Sequence, residues 1–269
     1  MIEIREASFE DIENILGLWA DGDVMKFVGF PEGLAETPES IREMLVNTAA
    51  RRPKSNYYAI FEDGRYCGET SYDIDEEHKS ASLDIKLFRF ARGRGIAAKA
   101  LSHAIDEAFK NGAESVWVDP APGNAKAFAL YGRLGFVKKD MPDHVAAMGE
   151  DPEKNTYMEL TKKENTNMKK HTMMEKIARE AFEKGGFNGT WLLAENGEIV
   201  SKGAVGFRDP ENKEPMTEDS IFQLASVTKQ FTAAAVMLVV RQGLLSLDDD
   251  ITKFFPGLKS TGARPCVIS

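Results

Sequence analysis

At 269 residues, 42% apolar and carrying a net charge of −9, the chain can bury one large core or two ordinary ones. An acidic chain without a basic face excludes nucleic acid as the expected partner, because phosphate neutralisation supplies most of that affinity. Acidic clefts suit amine or cationic ligands better. Cys67 and Cys266 are far apart and outside any C-x-x-C pair, which argues against a zinc site or disulfide framework and fits a reducing cytosol. The opening "MIEIREASFEDIENI" is charged from its third residue, unlike a signal peptide. The apolar run "FTAAAVMLVV" at 231–240 is half the roughly 20 residues of a membrane helix and reads as a buried helix. The expectation is a cytoplasmic protein with no membrane partner and no metal.

In chain order, "IEIREAS" alternates like an edge strand and runs into a helix, "SFEDIENILGLWA", with Ser8 as N-cap and Asp11 three residues on. "ETPESIREMLVNTAA" is a second helix with Pro38 in its first turn. Strand-like runs follow: "NYYAIFE", a turn at Asp63-Gly64, "RYCGETSYDID" and "ASLDIKLF". "GIAAKALSHAIDEAFKNG" is an amphipathic helix ending at Gly112. "ESVWV" is a short buried strand, "NAKAFALYGRLGF" another helix closing on a glycine, and "NTYMELT" a last strand. Polar, aperiodic text between Thr161 and Thr172 predicts a linker over 164–172, dividing a domain at 1–163 from a segment at 173–269. That segment opens on a helix, "MMEKIAREAFEKGG". Two strands around Asn196-Gly197 and a helix led by Ser226-Val227-Thr228-Lys229 follow.

The stretch "LDIKLFRFARGRGIAAKAL" carries the first chemistry. Gly93 and Gly95 let the chain turn tightly just before a helix, whose N-terminal amides and dipole favour an anion. Arg92 and Arg94 add positive charge, and together they point to a pyrophosphate. Gly93-x-Gly95-x-x-Ala98 also satisfies a dinucleotide fingerprint, with Asp119 about twenty residues on. A nicotinamide enzyme is rejected: the glycines do not directly follow the strand, and too little chain remains for a doubly wound sheet.

"FARGRGIA" resembles the coenzyme-A loop Q/R-x-x-G-x-G/A of the GNAT acyltransferases, with Phe90 departing from the preferred Gln or Arg. "VDPAPGNAKAFALYGRLGF" resembles the family's N-x-x-A…LY-x-x-x-GF element. The resemblance implies an α/β (α+β) GNAT fold for 1–163, with a mixed, mostly antiparallel sheet flanked by helices, and acetyl-CoA as cosubstrate. It implies that Arg92, Gly93, Arg94, Gly95, Ile96 and Ala97 cradle the pyrophosphate. Leu87 on the "LDIKL" strand, Asn124 and Ala127 would line the cofactor path, and Tyr131 would protonate the departing thiolate. The base that takes the ammonium proton stays open among Glu69, Asp84 and Asp119, since an acidic strand residue is more often simply solvated. "DPAPGN" resembles the D-P-x-P-x-N run of aminoglycoside 6′-N-acetyltransferases, in which the Asp faces the cationic substrate, so Asp119 is the candidate for substrate binding. A turn acid before proline is the even alternative. The acidic string 73–78 would add negative potential if it borders the cleft, and the four histidines read as surface or packing residues.

The second segment resembles the N-terminal part of the class C β-lactamase and D-alanyl-D-alanine peptidase family, through "GTWLLAENGEIVSKGAVGF", "MTEDSIFQLASVTKQFTAAAVMLVV" and "GLLSLDDDITKFFPG". There Ser226 would be the acylated nucleophile and Lys229 its activator. The resemblance also requires a Tyr-x-Asn element and a K-T-G-like strand. No tyrosine follows Tyr157, and "KSTG" at 259–262 does not fit. The last residues read like a truncated or frame-shifted end, so Ser226 and Lys229 are expected to be vestigial in an incomplete hydrolase fragment. The expected function is acetyl transfer to a small-molecule amine or a peptide, and a homodimer is compatible with it. The alternatives are a serine hydrolase using Ser226 and Lys229, or a non-catalytic acyl-CoA-binding module.

Overall fold

The computed structural model describes residues 1–151 and 153–257. The chain divides into two compact units, one from Met1 to Val205 and one from Gly206 onward. The first begins with β1 (Ile2–Glu6), α1 (Ile12–Trp19), α2 (Gly22–Met25) and α3 (Pro38–Ala50). It continues through β2 (Ser55–Glu62), β3 (Arg65–Asp75), β4 (Ser80–Leu87), α4 (Ile96–Lys110), β5 (Ser115–Val118) and α5 (Ala125–Arg133). Then come β6 (Val137–Lys138), α6 (Asp143–Ala146), β7 (Met158–Thr161), α7 (Lys162–Glu183), β8 (Gly189–Glu195) and β9 (Glu198–Val205). The local signals act where they stand in the chain. Ser8 and Asp11 form a reciprocal capping box at the first helical turn, and Thr37 caps α3 with Pro38 at its start.

β1 to β7 form one seven-stranded sheet in the order β1-β2-β3-β4-β5-β7-β6. Every neighbouring pair is antiparallel except β4 with β5. Successive side chains on a strand face opposite ways, and β2 is buried on both faces. Tyr57 and Ala59 pack against Ile15, Leu18 and Ile41 of α1 and α3. Tyr58, one residue away, joins Leu101, Ala104 and Ile105 of α4. The mixed sheet flanked by helices is the expected architecture.

The parallel pair is short. β4 and β5 are in register only from Ser80↔Ser115 to Ser82↔Trp117. Beyond Ser82 the edge of β4, Leu83 to Leu87, continues without β5, and the two strands part.

Residues 164–172, expected as a linker, lie inside α7 and are helical. Thr161 and Glu164 make a capping box, and Lys, Glu and Met are good helix formers. A helix with little apolar periodicity needs polar anchors. Lys162 Nζ donates to the Phe109 carbonyl at 3.0 Å, Lys169 pairs with Asp106, and Lys170 reaches Glu195 at 2.6 Å. The β8–β9 hairpin belongs to this first unit, tied to α7 also by His171 Nδ1 and Ser201 Oγ at 3.0 Å.

The second unit holds β10 (Phe207–Asp209), β11 (Glu214–Pro215) and α8 (Thr228–Arg241). The run 231–240 is helical as expected but not buried: Phe231 is 61% and Leu238 58% exposed. Apolar composition forms the helix, whereas burial needs a partner surface, which the described part of this unit does not supply. "KSTG" and Cys266 lie outside the described residues. Among the described residues no helix is long and apolar enough to cross a membrane.

Candidate active site

The parting of β4 from β5 opens a cleft of about 920 Å³, lined among others by Tyr57, Asp84, Ile85, Asp119, Asn124, Ala127, Tyr131 and Glu150. Its carboxylates are Asp73, Asp84, Asp119, Glu150 and Asp151, against only Lys26 and Lys154 as cations. Negative potential therefore gathers where a substrate would enter. Of the acidic string 73–78 only Asp73 lines this cleft; Asp75, Glu76 and Glu77 line a neighbouring cavity of about 550 Å³.

The glycine loop stands at the N-terminus of α4. Gly93 and Gly95 adopt φ of +75° and +80°, and Gly95 is the N-cap with no side-chain cap bond. No hydrogen bond is formed by the amides from Gly93 to Ala98 among the described residues. A Cβ built on either glycine would meet nothing within 4 Å, so the space before these amides is open. Free donors, a helix dipole and open space give this loop the physical means to hold an anion. The Ile96 side chain is buried against the sheet and Ala97 is partly buried, so the contribution of both to the loop is their backbone N–H.

The two arginines do not point into that space. Arg92 donates to the Leu87 carbonyl at 3.0 Å and to Asp23 Oδ2 at 2.9 Å, tying the loop to β4 and α2. Arg94 pairs with Glu62 at 2.6 Å. Their charge is already partnered, and the free donors of the loop are its backbone amides.

Tyr131 sits on α5, 8% exposed, and its hydroxyl makes no hydrogen bond among the described residues. Burial, and after it Asp84 and Asp119, pushes its pKa well above the ordinary tyrosine value. Burial thus favours the protonated hydroxyl, which can act as a donor. Asn124 caps the same helix, its Oδ1 accepting from the Ala127 amide at 3.2 Å, which fixes where α5 starts.

The three candidate bases fall into different settings. Glu69 is 1% exposed and does not line the cleft. It accepts from Trp19 Nε1 at 2.7 Å, lies 3.5 Å from Lys86 Nζ, and its other oxygen takes no hydrogen bond. Burial raises its pKa, with Lys86 opposing. Asp84 does line the cleft, held by Lys86 and by the Ile85 amide, which donates to Oδ1 at 2.8 Å. Burial works against the Lys86 cation, but Asp84 and then Glu69 outweigh it and keep the ammonium charged. Lys86 thus links a buried carboxylate to an exposed one. Asp119 lies at the end of β5 and is pushed up to about 8, first by burial and then by Glu150.

Some of this could not be read in the sequence. Glu150 and Asn155 belong to no motif, and only the fold brings them to Asp119. His78 and His144 stack with ring centroids 3.9 Å apart, although the chain separates them widely. Ser226 and Lys229 do meet, Lys229 Nζ donating to Ser226 Oγ at 2.9 Å, but both are exposed.

A GNAT acetyltransferase family model matches residues 2–137, and a β-lactamase family model matches residues 174–266. The first match spans half of the protein, and the chain belongs to the GNAT acetyltransferase family. Its fold is similar to that of the spermidine N-acetyltransferase of Vibrio cholerae in complex with CoA and spermine, with a TM-score of 0.50 at 18% identity, covering 61% of this chain and 98% of that one. It is likewise similar to a GNAT-family acetyltransferase of Streptococcus pneumoniae, with a TM-score of 0.50 at 20% identity, covering 60% of this chain and 99% of that one. The second segment is similar to penicillin-binding protein 4* of Bacillus subtilis, 36% identical over 98 residues, which is 36% of this chain and 21% of that protein. It is also similar to esterase EstB of Burkholderia gladioli, 40% identical over 79 residues, 28% of this chain and 20% of that protein. The chain thus spans about a fifth of the length of these curated relatives.

Proposed function

We propose that this chain transfers the acetyl group of acetyl-CoA to a primary amine of a small, cationic molecule. The observation that carries the reading is the presence of both free amides at the start of α4 and a carboxylate-lined cleft that holds a buried tyrosine. The amides from Gly93 to Ala98 hold the diphosphate, and Arg92 holds the loop in shape. Beyond Ser82 the edge of β4, which ends at Leu87, has no β5 partner, and Asn124, Ala127 and Tyr131 line the cleft opened there. Acetyl-CoA, when bound, supplies the activated acetyl group. The carboxylates of the cleft draw in the ammonium, and the Tyr131 hydroxyl gives its proton to the departing thiolate. Asp84, fixed by Lys86 with Glu69 behind it, keeps the cleft negative beside the reacting atoms.

Thiol release from acetyl-CoA, measured on the full chain across alkyl amines, polyamines, aminoglycosides and peptide N-termini, tests this. Release with one amine class is expected, and that class names the substrate. Silence across the panel with acetyl-CoA still bound would instead make the chain a binding module. For the second segment, a fluorescent penicillin is expected to leave Ser226 unlabelled, because the exposed Ser226–Lys229 pair has no further charge-stabilising group at hydrogen-bond distance among the described residues. A covalent adduct on Ser226 would revive the hydrolase.

A further inference from the structure

Glu150 lies beyond residues 2–137 of the family match, on the loop after α6, yet it lines the same cleft as Asp119 and Tyr131. A single side-chain amide serves both acids. Asn155 Nδ2 donates to Asp119 Oδ2 at 2.9 Å and to Glu150 Oε2 at 3.3 Å. One neutral donor does not offset two carboxylates in a half-buried site, and two such groups side by side do not both ionise readily.

The surroundings do not relieve them. Asp84 faces the pair from β4, Tyr131 from α5 and Asp151 from the same loop. The two lysines of the cleft are taken by other acids: Lys154 by Asp151 at 2.9 Å and Lys26 by Asp23 at 2.6 Å. What would complete the site is a cation from outside. Tyr131, more than nine-tenths buried with its hydroxyl unpaired, is the second group in this cleft that waits for a ligand.

We propose that Asp119 and Glu150 work as one proton-sharing pair that accepts the proton of the substrate ammonium, with Glu150 setting the basicity of Asp119. The role rests on the acetyl-transfer reading above. In the free cleft the two carboxyls hold one proton between them, in keeping with an Asp119 pKa of about 8. An entering ammonium takes over the role of that proton as counter-charge between the two carboxylates and expels it to solvent. The pair then takes one proton from the ammonium nitrogen, freeing the lone pair that forms the new N–C bond as the C–S bond breaks. The sulfur leaves with the Tyr131 proton. The second proton lost by the nitrogen restores Tyr131. One proton is released per turnover and the pair ends as it began.

The test has a part that needs no acceptor. With carboxyl-13C Asp and Glu in the full chain, NMR titration should show Asp119 changing charge near pH 8. In Glu150→Gln it should fall clearly below that, while staying above the ordinary carboxylate value of about 4 because burial remains. With the amine found in the panel, the acid limb of kcat/KM should lie near 8 and move down in Glu150→Gln. In that variant kcat should drop about 100-fold while acetyl-CoA binding is unchanged. Glu150→Asp, which keeps a carboxyl, should return the limb to its place. An Asp119 that titrates as an ordinary carboxylate, or a pH profile unmoved by Glu150→Gln, overturns the pair. A silent panel removes the transfer reading and this role with it, while the NMR titration still tells whether the pair shares a proton.

Discussion

Tyr131→Phe should lower kcat about 100-fold at neutral pH while leaving acetyl-CoA binding and stability near those of the unaltered protein. The magnitude is the lower end of what a positioned general acid contributes. Stability should hold because the hydroxyl that is removed makes no hydrogen bond, so no buried partner is left unsatisfied, and the ring keeps its contact with Phe136. The sign with pH follows from its environment. Burial first, then Asp84 and Asp119, raises the Tyr131 pKa, so its protonated form persists upward in pH and contributes no alkaline limb below the ordinary tyrosine value of about 10. Single-turnover and steady-state rates on the two proteins, with acetyl-CoA affinity measured in parallel, decide it. Equal turnover would remove Tyr131 from the proton path.

The second large effect is on the scaffold. Gly68→Ala should destabilise the first unit by about 3 kcal/mol, at the upper end of ordinary overpacking, and lower its melting temperature by roughly 10 °C. Gly68 pairs with Leu87 where the β2–β3 register shifts, at φ +150°. A Cβ there would sit 2.0 Å from the Lys86 carbonyl and 2.8 Å from a Leu87 methyl. Backbone cannot yield as the tip of a flexible side chain can, so β3 and β4 would have to move apart. That movement displaces Lys86, which holds Asp84 in the cleft, so activity should fall with stability. Gly17→Ala is the control: α1 has nothing within 4 Å of that Cβ, and the substitution should be neutral or stabilising by about 0.5–1 kcal/mol. A Gly68→Ala protein that melts with the parent would mean that the strand pairing is looser than drawn.

Much of the first unit could be read from short-range patterns. The Ser8–Asp11 box, Pro38 in the first turn of α3, the Asp63-Gly64 turn and the glycine loop before α4 all stand where their residues place them. Such signals act over a few residues, through a cap, a turn or a periodicity, and require no knowledge of what packs above. The helix from Met173 on could be read, but the N-terminal half of α7 was missed for the converse reason. Its apolar pattern is weak, and what holds it are lysines reaching Phe109, Asp106 and Glu195, partners far away in the chain.

The residues of the cleft divide along the same line. Residue order alone determined the glycine turn before α4, Tyr131 on its helix and Asp119 at a strand end, because each belongs to a local element whose conformation follows from its neighbours. Tertiary structure alone decided what those groups do. It turned the Arg92 and Arg94 side chains toward Asp23 and Glu62 and closed Glu69 away behind Lys86. It also set Glu150 against Asp119 through Asn155. Charge state and reactivity depend on burial and on opposing groups, which are properties of the packed chain, and no local run of residues records them.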